Sequence, residues 1–148
     1  MPLDPELPPR VAAFLAEHHV LVLATTRDGQ PWTASCYYAF DADAGRFLIA
    51  SDPATRHLQE ALAEPRVAWA IHLETKAVGK IRGLQATGRL AVLEGPDLDA
   101  ARTLYLRTFP IARVMPRLDL WALEPDHLKL TDNRLGFGTK LTWTRTRG

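Results

Sequence analysis

"VLVLATTRDGQPWTASCYYAF", residues 20–40, holds two β-rich runs joined at Asp28-Gly29. Asp-Gly between such runs is a strong hairpin signal, because a two-residue hairpin turn needs positive φ at both central positions. The first run, "VLVLAT", is apolar at consecutive positions rather than alternate ones. A strand of that kind is buried on both faces, which suits a barrel wall covered outside by helices or by a second subunit.

Working outward from the hairpin, Pro8 and Pro9 open a segment with Val11, Phe14, Leu15 and His18 on one helical face, the spacing of an amphipathic helix with proline in its first turn. After the hairpin, "RFLIAS" reads as a strand ending at Ser51. Asp52 and Pro53 fit an N-cap and first helical position, so a short helix is expected from Thr55 through Leu62, ended by Pro65. "RVAWAIHLE" and "KIRGLQATGRLAVLE" read as two further strands, the second long enough to bend at Gly83 or Gly88. Gly95-Pro96 turns the chain into a helix, "DLDAARTLYLRTF", and "LDLWALE", "HLKLTD" and "KLTWTR" supply the last strands. Six or seven strands with three short helices are not a βαβ pattern, so the expectation is a mainly β, closed antiparallel barrel.

A chain of 148 residues is about one domain with a real core, and residues 1–148 are read as one. With 18 Lys+Arg against 17 Asp+Glu the formal charge is +1, which gives no global electrostatic case for nucleic acid or an anionic membrane; the terminal "TWTRTRG" is basic only locally. No apolar run approaches the roughly 18 to 20 residues of a membrane span, and the start lacks the charged and apolar regions of a signal peptide, so a soluble cytoplasmic protein is expected. The single cysteine, Cys36, excludes an internal disulfide framework and a cysteine-built zinc site.

The most chemical stretch is "SDPATRHLQ", which gathers Ser51, Thr55 and Arg56 at a strand-to-helix junction. Free N–H groups and the positive end of the helix dipole favour an anion there, and Arg56 adds bidentate hydrogen bonds to a phosphate. On sequence alone, ordinary helix capping is the better explanation of the hydroxyls. The five histidines show no metal spacing, and no metal site is expected. Ser35, Cys36 and the histidines form no nucleophile–base motif. Near the end, "TDNRLGFGTK" flanks Phe137 with two glycines and closes on Lys140. Read alone it is either a hairpin bend or a loop whose backbone approaches a flat ligand closely.

The order of a helix, the hairpin "VLVLATTRDGQPWTASCYYAFD", then "RFLIASDPATRHLQEALAEPRVA" and "IRGLQATGRLAVLE" resembles the pyridoxamine 5′-phosphate oxidase-like FMN-binding split barrels over almost the whole chain. "RTFPIARVM" and above all "LKLTDNRLGFGTKLTW" are similar to the small, functionally uncharacterised YhbP-like family. The resemblance implies a homodimeric six-stranded antiparallel split barrel with flanking helices and FMN in grooves at the subunit interface. It implies that the second strand, Thr33, Ala34, Ser35, Cys36, Tyr37 and Tyr38, lays its backbone against the flavin. The end of the third strand, Ala50 and Ser51, and the following helix would hold the phosphate. Where the oxidases read Ser-Arg-Lys, this chain has Thr55, Arg56 and His57, so the second cation becomes a residue only partly charged at neutral pH. Gln85 falls where related barrels place a polar contact to the isoalloxazine ring. Tyr38 stands where the oxidases carry a lysine for substrate phosphate, and the Gly-Phe-Gly motif replaces their C-terminal Trp and Arg segment, so true pyridoxamine phosphate oxidase activity is not expected. Phe137 and Lys140 would flank the flavin pocket from across the dimer.

Three functions follow as alternatives. The first is an FMN-dependent oxidoreductase of unassigned substrate, in which the flavin does the chemistry and the protein binds and orients it. A haem-binding barrel with His57 or His72 as axial ligand is the second. The third is a barrel that keeps the fold without a working cofactor.

Overall fold

The computed structural model describes residues 3–146, so Arg147 of the basic terminal run lies outside the described residues. Its strands are β1 (Val20–Arg27), β2 (Gln30–Asp41), β3 (Arg46–Ala50), β4 (Arg66–His72), β5 (Arg82–Val92), β6 (Leu120–Asp132) and β7 (Lys140–Thr144). The helices are α1 (Pro9–Glu17), α2 (Arg56–Ala63) and α3 (Gly95–Thr108), with short 3-10 turns at Val78–Lys80, Pro110–Val114 and Asn133–Leu135. The hairpin forms as its sequence leads one to expect: Asp28 and Gly29 take φ of 51° and 77°, and β1 and β2 pair from Val20↔Tyr37 to Arg27↔Gln30.

The sheet runs β3-β2-β1-β4-β5-β6, and β6 returns to pair with β3, so six antiparallel strands close a ring. β7 is a seventh strand outside that ring. β5 occupies one edge of β6 along its whole length; on the other edge Leu120–Leu123 pair with β3 and His127–Thr131 with β7. β6 is one continuous strand, where the sequence suggested two. Pro125 is accommodated because it falls at a register shift in the β5–β6 ladder, opposite Gly88, and a bulge is one of the few places a sheet accepts proline.

The ring is filled by Leu21, Leu23, Phe47, Ile49, Trp69, Ile71, Leu84 and Leu128, all buried, and α1 packs Val11, Phe14 and Leu15 into the same cluster. A second cluster lies under α3, where Ala101 and Tyr105 cover Ala39, Leu48 and Ala122. Arg46 ties α3 to the hairpin, bonding Asp41 at 3.1 Å and Asp97 at 2.8 Å. α2 lies within one residue of the expected Thr55–Leu62, but Asp52 and Pro53 are not its N-cap and first helical position. Asp52 caps a turn instead, its carboxylate accepting from the Ala54 N–H and its carbonyl from the Thr55 N–H, and Thr55 stands at the N-cap. No helix among the described residues is long and apolar enough to cross a membrane.

Candidate functional site

Strand β2 carries one edge that no neighbour covers. β3 reaches only Tyr38–Asp41, so Gln30–Tyr37 are paired on the β1 side alone. The Tyr38 N–H donates to the His19 carbonyl at 2.9 Å, and backbone direction alternates along a strand. Ala34, Cys36 and Tyr38 therefore bond β1, while the N–H and C=O groups of Thr33, Ser35 and Tyr37 face the open edge. Side chains follow the same alternation: Thr33, Ser35 and Tyr37 are exposed, whereas Cys36 and Tyr38 belong to the core. The Tyr38 hydroxyl donates to the Leu15 carbonyl at 2.8 Å, and burial raises its phenol and pushes the Cys36 thiol up to about 11. Of the six β2 residues named from sequence, only Thr33, Ser35 and Tyr37 present both backbone and side chain outward. Tyr37 is 62% exposed, its ring edge-on to Phe109 beyond α3.

At the end of β3, Ser51 and Thr55 converge on His57, whereas the Arg56 side chain turns to Glu60 and Trp32. Ser51 has its backbone fully used, its N–H donating to the Asp119 carbonyl and its carbonyl accepting from Trp121 Nε1. Its hydroxyl oxygen lies 2.6 Å from His57 Nε2, with Thr55 Oγ1 3.4 Å from the same nitrogen. Burial lowers the His57 pKa, so at neutral pH this is an uncharged hydrogen-bonding group rather than a second cation. Arg56 supplies the charge. Its guanidinium lies 4.0 Å over the Trp32 ring, beside the open edge of β2, and its Nε donates to Glu60 at 2.9 Å.

Gln85 is not at this junction. It lines a groove of about 480 Å³ on the outer face of β1, β4, β5 and β6, with Thr33, Thr87, His127, Lys129 and small residues such as Ala68. Thr33 is the one β2 residue shared with that groove.

Phe137 and Lys140 stand apart from both. The Asn133 side chain donates to the Val78 carbonyl and accepts from the Gly138 N–H, and its backbone N–H donates to the Ile81 carbonyl. Gly136 and Gly138 take φ of 123° and 75°, which only glycine adopts without strain. The outcome is a pinned loop that holds Phe137 85% exposed. Ser51 adjoins one end of the 13-residue β6 and this loop the other, about 40 Å of strand at 3.3 Å per residue. Within one chain the loop does not reach the β3–α2 junction.

Sequence reasoning missed Trp32, Thr25 and Glu60. The signal was present: Arg56 and Glu60 are one helical turn apart, and the Asp-Gly hairpin fixes Thr25 opposite Trp32.

A barrel with a free β2 edge beside a hydroxyl-rich strand-to-helix junction is the split-barrel class. The family model described as pyridoxamine 5′-phosphate oxidase matches residues 7–132. The UPF0306 protein YhbP of Salmonella arizonae is 41% identical over 135 residues, 91% of each chain, and a UPF0306 protein of Citrobacter koseri is 39% identical over 136 residues, 92% of each. The chain therefore belongs to the pyridoxamine 5′-phosphate oxidase-like family, together with these UPF0306 proteins. Among solved structures, a heme binding protein from Mycobacterium smegmatis has a TM-score of 0.76 at 22% identity; the match covers 93% of this chain but 59% of that one. A FAD-binding protein from Mesorhizobium loti has a TM-score of 0.64 at 18% identity, covering 84% and 94%. At these identities the likeness is one of fold.

Proposed function

We propose that the chain is an FMN-binding flavoprotein working as a homodimeric, flavin-dependent oxidoreductase, and not a true pyridoxamine phosphate oxidase. The observation that carries this reading is the adjacency of the open β2 edge to the Ser51–Thr55–His57 cluster and Arg56. A flavin laid along β2 meets the free N–H groups of Thr33, Ser35 and Tyr37 with its polar edge, and its phosphate end meets two hydroxyls, a neutral imidazole and one guanidinium. Bound FMN supplies hydride transfer at its ring; the protein binds it, orients it and excludes water. Tyr38, turned into the core, offers no side chain to a substrate phosphate. The outer-face groove with Gln85 and Lys129 would close over the flavin from a second subunit, and exposed apolar residues such as Tyr37, Ile111, Val114 and Met115 supply surface for that contact.

The haem reading draws support from the Mycobacterium smegmatis neighbour. His57, drawn to Ser51, suits it less than the exposed His72 at the end of β4. The absorption spectrum of freshly purified protein separates these readings: a two-band flavin spectrum is expected, a Soret band would establish haem, and neither band, with no uptake of added FMN, would leave a barrel without a cofactor.

The Phe137 loop gives a sharper test. Its ring is almost fully exposed in one chain, so Phe137→Ala should leave the melting temperature of the unliganded protein nearly unchanged. If the loop walls a partner's flavin pocket, FMN binds several-fold more weakly, since an aromatic contact is worth about 0.5 to 1.5 kcal/mol beyond area burial. Lys140→Ala acts on the same equilibrium, more strongly at low salt. Unchanged FMN affinity in both variants would return the motif to a plain turn.

A further inference from the structure

Glu60 is a buried carboxylate, 4% exposed, that the reading above leaves without a role. It lies one helical turn after Arg56 on α2, and the two residues sit over a cross-strand pair of the hairpin, Thr25 on β1 and Trp32 on β2. One carboxylate oxygen accepts from the Thr25 hydroxyl at 2.9 Å and the other from Arg56 Nε at 2.9 Å. The Trp32 ring lies 4.0 Å from the centre of the same guanidinium. Arg56 is thus held at Nε and over one face, while its two terminal nitrogens make no hydrogen bond among the described residues and its side chain stays about half exposed. The Arg56 guanidinium holds the Glu60 carboxyl below the usual carboxylate range, with burial opposing it, the Thr25 hydroxyl assisting, and Arg27 adding a weaker pull. Glu60 is therefore ionised at neutral pH.

We propose that Glu60 is a positioning residue: with Thr25 and Trp32 it fixes the guanidinium of Arg56 so that the two terminal nitrogens are presented to an anionic group, which on the reading above is the phosphate of FMN. An arginine free to rotate loses its rotamer freedom when it clamps a phosphate; one already fixed has less to lose. The carboxylate also places a negative charge near the ligand, which by itself weakens anion binding. Positioning and charge therefore predict opposite signs.

The test compares wild type, Glu60→Ala and Glu60→Gln by titrating each with FMN and riboflavin. Glutamine keeps the outline and one acceptor, so positioning expects Glu60→Gln to keep the FMN-to-riboflavin affinity ratio within about threefold of wild type. Glu60→Ala should lower that ratio about tenfold, and riboflavin affinity should move little. Thr25→Val, which frees the other carboxylate oxygen with little change of shape, should lower the ratio in the same direction and serves if Glu60→Ala does not fold. A ratio that is unchanged or raised in Glu60→Ala overturns the proposal. In the unliganded protein, the Arg56 Nε–H resonance should be protected from solvent exchange in wild type and Glu60→Gln and unprotected in Glu60→Ala; equal protection in all three also overturns it. A wild type that binds riboflavin as tightly as FMN defeats the phosphate assignment itself, and the Nε–H measurement then decides separately whether Glu60 holds Arg56.

Discussion

Gly88→Ala lowers stability by about 3 kcal/mol or more, the upper end of what overpacking costs. A Cβ built at Gly88 would clash with the Glu124 carbonyl oxygen and stand 2.8 Å from Trp69 Cη2. The first is backbone of the neighbouring strand. The second is the rim of a buried ring packed edge-on against Phe47 at 5.2 Å. Neither gives way by rotating a side chain, so the bulge opposite Pro125 must open or the ring must shift. For a domain near 150 residues such a loss lowers the melting temperature by roughly 6 to 12 °C. Gly83→Ala is the control, because its nearest contact is the Ile71 carbonyl at 3.6 Å, and it should cost under about 1 kcal/mol. Equal melting temperatures for the two variants would mean that β5 and β6 part at the bulge without cost.

Arg56→Ala weakens FMN binding roughly ten- to a hundredfold while changing riboflavin affinity little. The variant removes the cation that Arg56 places beside this junction, and a hydrogen bond to a charged group contributes about 1.5 to 3 kcal/mol. The loss should shrink as salt rises, since the guanidinium is about half exposed. Burial keeps His57 neutral at pH 7, so the imidazole does not compensate there. Melting curves of the unliganded variant are needed beside the titration, because Arg56→Ala also strips the buried Glu60 of its ion-pair partner. An affinity loss equal for riboflavin and FMN would place Arg56 outside any phosphate site.

Much of this architecture is legible in the sequence alone. Asp28-Gly29 carries its own turn geometry, but the unbroken apolar run of β1 does not bring cover on both faces within one chain: Leu21, Leu23 and Thr25 are buried, Val22 and Ala24 are half-buried along the outer groove, and Val20 is exposed. The six-strand ring was reached through the family resemblance; β7, outside it, is the difference. Local signals failed where tertiary context decides: Pro125 reads as a break between strands until Gly88 is known to lie opposite it, and Asp52-Pro53 reads as a helix start because capping a turn uses the same residues. At the candidate site, Ser51, Thr55 and Arg56 stand out in the sequence because the three are close along the chain. The status of His57 does not, since burial sets it. Nor does a one-dimensional reading tell which of Thr33 through Tyr38 face outward; that follows from a single hydrogen bond, Tyr38 to His19, which sets the parity of the strand.

The closure of the ring through β3 and β6 governs how the chain must assemble in time. The β1–β2 hairpin joins neighbours in sequence, but Ala50 pairs with Leu120 and Phe47 with Leu123, some seventy positions apart. Contacts of such separation carry a large loop-closure entropy and form slowly, and proteins dominated by them fold in milliseconds to seconds. Until that seam closes, β3 shows a bare edge, and Phe47, Leu48 and Ile49, fully buried in the finished fold, lie open to another chain. The nascent protein is therefore most exposed to misassociation after α2 and β4 have emerged and before β6 has been made.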